Sequence, residues 1–126
     1  MRVIERVCAM GLCLALAGPA AAFLAENGMS VDQVGPGRFE VRWGGGSNGA
    51  PSFWCAAADY AWRGLNLPPA TRVYRVSEPP RGSGEGIIFS LDRGDAASRS
   101  GLLSLWERDA GRTVAHARMF CNETDR

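Results

Sequence analysis

The chain has no lysine and a single histidine, His116. Each scarcity closes a class of chemistry. A P-loop needs a lysine behind its glycines to reach the phosphates. None follows the stretch Gly44-Gly45-Gly46-Ser47-Asn48-Gly49, which therefore reads as a plain connection. A lone imidazole offers no H-x-x-x-H pair, and no C-x-x-C spacing exists, so the sequence supplies neither a metal site nor a cofactor site. A histidine base also needs a nucleophile beside it. No serine stands in a G-x-S-x-G setting, and His116 reads as a surface residue of the last element. No catalytic residue is assigned. Glu40, Asp59, Glu78 and Glu85 are the carboxylates available for acid–base work, but nothing in their spacing suggests that any two converge.

A basic excess is missing too. Fourteen arginines stand against thirteen acids. Two of the arginines and one of the acids lie in the first 22 residues, so the remainder balances at twelve of each. That balance argues against nucleic acid as a partner and against a basic membrane-binding face. The all-arginine cation content suggests a GC-rich bacterial genome.

The N-terminus has the layout of a cleaved secretory signal: Arg2 and Arg6, the apolar run Val7–Ala17, the break Gly18-Pro19, and the small residues Ala20-Ala21-Ala22. The run is shorter than the roughly 20 residues that span a bilayer. The expected organisation is a signal peptide over residues 1–22 and one small secreted domain over 23–126. The expected location is periplasmic or secreted, with no stable membrane insertion after cleavage.

Of four cysteines, Cys8 and Cys13 leave with the signal. Cys55 and Cys121 remain as an even pair, and in an oxidising compartment they are expected to form a disulfide. Closing so long a loop contributes about 4 kcal/mol in the chain-entropy treatment.

Along the exported part, Phe23–Pro36 lacks clear periodicity and reads as an irregular lead-in. Arg38–Trp43 alternates, with Phe39, Val41 and Trp43 on one side of a strand. Asn48 is a plausible cap and Pro51 a first-turn residue for a long helix ending at Gly64 and Pro68-Pro69. On that helix Trp54, Ala58, Ala61, Trp62 and Leu65 share an arc with Cys55 at its edge. Asp59 and Arg63 are spaced for an ion pair. Phe53 and Tyr60 fall on another side. Two strands follow, Arg72–Ser77 and Gly86–Leu91, the second expected to be the more buried. A long Pro/Gly-rich loop joins them. Asp92–Gly101 is turn-like, and Leu102–Trp106 reads as a fourth strand. Thr113–Cys121 fits either a strand or a helix; its alanines, arginine and methionine favour a helix capped by Thr113. The four tryptophans all lie beside apolar neighbours and read as core. Asn122-Glu123-Thr124 matches a glycosylation acceptor, of consequence only in a eukaryotic secretory route.

This order gives an α+β fold: a small, mainly antiparallel sheet packed on one long helix, with a short C-terminal helix tied to it by the disulfide. The segments FWCAAADYAWRGL, RVYRVSEPP, GIIFSL and AHARMFC together resemble those of small exported bacterial proteins with no assigned activity. The resemblance spans most of the exported part. It supports the signal and the cysteine pair and implies no substrate, cofactor or catalytic residue.

The expected function is a non-catalytic exported domain that binds a protein or a cell-envelope component. Phe53, Tyr60 and Arg81 form its candidate binding surface. The alternatives are a small carboxylate-dependent hydrolase and a structural accessory subunit. A pocket lined by two or more of Glu40, Asp59, Glu78 and Glu85 would favour the hydrolase. A flat aromatic patch around Phe53 and Tyr60 would favour binding or assembly.

Overall fold

The structure, a computed structural model, describes residues 22–44, 49–102 and 110–124, the side chains of 123 and 124 apart. The expected signal, the Asn48 cap and most of the expected fourth strand, including Trp106, lie outside the described residues.

Six short strands and two helices are described. In chain order they are β1 (Phe23–Leu24), β2 (Ser30–Gly35), β3 (Arg38–Val41), α1 (Ala50–Asp59) running on into a π-helical turn (Tyr60–Gly64), β4 (Arg72–Arg75), β5 (Ile87–Ser90), β6 (Gly111–Thr113) and α2 (Val114–Thr124). The strands form one sheet in the order β1-β2-β3-β5-β4-β6, and every neighbouring pair is antiparallel. The helix α1 packs on β2 and β3 and against α2. The α+β expectation therefore holds, with the long helix, the short C-terminal helix and the bridge between them in place.

The lead-in is more regular than its sequence suggests. It forms β1 and β2, because Met29 and Val31 bury themselves at alternate positions while Ser30 and Asp32 stay at the rim. Asp32, Gln33 and the two glycines around Pro36 dilute that signal. Gly37 turns the chain from β2 into β3 at a φ of +65°, a conformation that costs a side-chain-bearing residue.

The helix also departs from a simple stripe. Gly49, with extended backbone, stands at its N-cap and offers no capping side chain, and Pro51 lies in the first turn. Every residue from Ser52 to Ala61 is buried, because the sheet covers one side of α1 and α2 another. Ala56, Ala57 and Ala58 let those layers approach closely. In the π-helical turn the Leu65 amide reaches back to the Tyr60 carbonyl at 2.9 Å. That i to i+5 pattern inserts a residue into the helical register. Trp62 and Leu65 consequently leave the buried arc and are each 37% exposed.

Phe39 and Val41 face inward as their alternation requires, but β3 ends at Val41. Trp43 does not continue the pattern and is 52% exposed. β4 buries Val73, Tyr74 and Arg75 but leaves Arg72 exposed, whereas β5 has no exposed residue and is the more buried of the two, as expected. Residues 114–121 resolve as helix, while Thr113 ends β6: its Oγ1 accepts the His116 amide at 3.1 Å, a side-chain cap for α2. Gly111–Thr113 pair with β4 as β6.

Cys55 and Cys121 are disulfide-bonded, with a Cα–Cα separation of 4.9 Å. The bridge joins the middle of α1 to α2. The opposite end of α1 holds the start of the described chain. Asp59 is fully buried; its carboxylate accepts the Glu26 amide at 2.9 Å and the Arg63 Nε at 2.6 Å. The expected Asp59–Arg63 pair is thus present, and hydrogen bonding to Asp59 raises the Arg63 guanidinium above its ordinary range.

Candidate functional site

An open cleft of about 500 Å³ lies on the face of the sheet turned away from α1, lined by residues that include Glu40, Arg42, Trp43, Ser77, Glu85 and Ile88. Its floor is set by register. Glu40 of β3 stands opposite Ile88 of β5 on one side and Asp32 of β2 on the other, and partners directly across a ladder project to the same face. Asp32 and Glu40 are like charges in direct opposition, which destabilises a strand pair. Arg42 relieves one of them, with its Nη1 3.3 Å from Asp32 Oδ2. The Glu40 carboxylate has no hydrogen-bond or ion-pair partner among the described residues.

The far wall is the loop before β5. The Glu85 carboxylate accepts the Gly82 amide at 3.2 Å, and Arg81 Nη1 donates to the carbonyls of Gly82 and Glu85, both at 2.9 Å. The loop then comes up against β3 at Gly86. A Cβ there would lie 2.5 Å from the Val41 carbonyl oxygen and 3.3 Å from Glu40 Cγ, so only glycine permits the approach. Ser77 Oγ accepts the Ile88 amide at 2.9 Å and fixes the edge of the floor. Trp43, just past the end of β3, completes the rim with an exposed indole.

The candidate binding surface of Phe53, Tyr60 and Arg81 takes a different form. Phe53 is 0% and Tyr60 9% exposed, so neither ring presents a surface. Tyr60 packs against Phe39 and Phe23, with centroids 4.8 and 5.4 Å away, and burial raises its phenol above the ordinary value. Helical periodicity sets both off the buried arc, but over Ser52–Ala61 α1 has no wet side. Phe53 and Arg81 do meet: the guanidinium carbon lies 5.0 Å from the ring centroid. Arg81 thereby pins the cleft wall to α1 while stapling its own loop.

The four candidate carboxylates divide. Glu40 and Glu85, distant in sequence, line the same cleft, a convergence their spacing does not announce. Asp59 is spent inside the fold. Glu78 accepts from Ser98 Oγ at 2.7 Å and from the Ser98 amide at 2.9 Å, and these bonds hold its carboxyl below the ordinary value of 4.5. A depressed carboxyl stabilises the fold above its unfolded-state value and loses that contribution as pH falls through its folded-state value. Replacing Glu78 with glutamine is therefore expected to flatten the acid limb of the stability curve below about pH 5, as read by thermal melts at successive pH values.

Trp43 in the lining and Asp32, which pairs with the lining's Arg42, are residues that sequence reading assigned elsewhere. Trp43 continues an alternating strand on paper, and Asp32 sits in a segment with weak periodicity. His116 is exposed and stacks on Phe120, with centroids 5.6 Å apart, well placed as a surface residue. The one cluster among the described residues with metal-ligand atoms close together, Glu26 with Cys55 and Cys121, has both sulfurs committed to the disulfide. No helix among the described residues is long and apolar enough to cross a membrane. The chain matches no protein-family model, no curated protein and no solved structure.

Proposed function

We propose that this is a non-catalytic, exported binding domain, periplasmic or secreted, whose ligand surface is the Trp43 cleft rather than the Phe53 side of α1. The observation that carries the reading is the indole of Trp43, 52% exposed at the rim of an open, polar cleft. Solvent exposure of a large aromatic beside convergent polar groups is what a recognition surface requires. A disulfide between the two helices accords with an oxidising compartment. The partner is an envelope component or an envelope protein.

A second reading, the carboxylate-dependent hydrolase, is favoured by one fact: Glu40 and Glu85 share the cleft. Against it, general-acid work asks for a carboxyl shielded from water. Glu85 is exposed and the cleft is open.

The test places a photo-reactive phenylalanine analogue at position 43 and, as a control, at the exposed Val34 of β2, in the protein in its native envelope. The binding reading expects an adduct from position 43 that is absent from position 34. Identical adduct patterns from both positions, or none from position 43, would remove it. Turnover of an envelope substrate that disappears in Glu40→Gln and Glu85→Gln would install the hydrolase instead.

A further inference from the structure

We infer that the Trp43 cleft recognises an organic cation, an amine or guanidine carried on a short aliphatic stem. The inference rests on reading the cleft as a binding site and adds the chemical class of its ligand. It follows from the charges that face the cleft. Glu40 and Glu85 supply two carboxylates. The one cation in the lining, Arg42, is paired with Asp32 at 3.3 Å, so its charge is already matched by an acid outside the lining. What remains is net negative. The Glu40 carboxylate in particular has no partner among the described residues.

The indole adds the second element. The face of an aromatic ring attracts a cation through its quadrupole, and tryptophan does so best. Trp43 is 52% exposed. The same chain already uses this contact internally, where the Arg118 guanidinium lies 3.6 Å from the Trp62 ring. Among the described residues no guanidinium covers Trp43, and Glu40 and Glu85 line the same cleft. Ile88 gives the floor an apolar strip for the stem of the ligand. A neutral sugar would use the indole but leave both carboxylates without charged partners. An anion would be repelled by them.

The experiment follows the Trp43 indole N–H in ¹H–¹⁵N spectra of the oxidised protein, assigned by its loss in Trp43→Phe. The titrants are cadaverine, agmatine and, as a neutral comparator, chitotriose. The two cations separate an amine from a guanidine source. The expected result is movement of the Trp43 indole and of the Glu40 and Ile88 amides with at least one cation. The apparent Kd should rise about tenfold in Glu40→Gln. It should rise again when salt goes from about 20 to about 500 mM. Glu40→Gln should melt with or slightly above the wild type, since it removes the charge opposite Asp32, so the loss of affinity is not one of folding. If chitotriose moves Trp43 and the cations do not, the ligand class is wrong while the cleft reading stands. If the cations bind with unchanged Kd in Glu40→Gln, the electrostatic basis is wrong. If none of the three moves Trp43, the inference falls, and the position-43 cross-link decides separately whether the cleft binds anything.

Discussion

Replacing Cys121 with serine is expected to lower the melting temperature by on the order of 15–30 °C, the shift for about 4 kcal/mol in a domain of this size. The bridge closes a separation of 66 residues, and opening it returns that loop to the unfolded ensemble. The loss compares with a total stability of about 5–15 kcal/mol for ordinary domains. The released Cys55 thiol is 0% exposed in the native fold. Its reaction with a thiol reagent then reports opening of the α1–α2 contact, and should be far faster than in the wild type, where no thiol is offered. Wild-type protein kept in reductant should follow the variant. A variant that melts with the wild type would show that packing between the helices suffices without the covalent tie.

Trp54→Ala is the other large loss expected, about 3–5 kcal/mol. Trp54 is 0% exposed, its ring meets Phe89 edge-on at 4.9 Å, and its Nε1 donates to the Ser100 carbonyl at 3.0 Å. Truncation opens a void between α1 and β5 and strips that carbonyl of a donor. Arg75, buried in the same place, also donates to it through Nη1 at 3.3 Å. The carbonyl therefore keeps a partner, and most of the cost comes from the void. Chemical denaturation checks this, with Trp43→Ala as the comparison. That change removes an exposed ring and should alter stability by no more than about 0.5 kcal/mol. Equal losses at the two tryptophans would contradict the assignment of one to the core and the other to a surface.

The two tryptophans also mark how far the sequence can be read. Trp54 lies just ahead of the alanines Ala56–Ala58, between Pro51 and Gly64, where local pattern and packing agree. Trp43 obeys the alternation of Phe39 and Val41, but pairing along β3 stops at Val41 opposite Ile87, and what lies beyond a ladder's end is not encoded in its period. The helix was legible as an element and not in its burial, because the wet side expected of it is occupied by a second helix brought there by Cys121. The shift of Trp62 and Leu65 out of the core depends on one inserted residue in the turn at Tyr60–Gly64, which leaves no clear trace in composition. The cysteine pair was legible because the expected signal takes Cys8 and Cys13 and leaves only Cys55 and Cys121. The cleft was not, since Asp32, Glu40 and Glu85 meet only through the antiparallel order that sets β2, β3 and β5 side by side.

One helix receives both extremes of the described chain: the Glu26 amide at Asp59, and Cys121 at Cys55. A polypeptide emerging in sequence order can complete the first of these attachments early, since both partners lie in its first half. The second must wait until residue 121 has followed. Until then the thiol at position 55 stands open to oxidants and to foreign thiols, and the formed bridge records that the whole fold has been delivered.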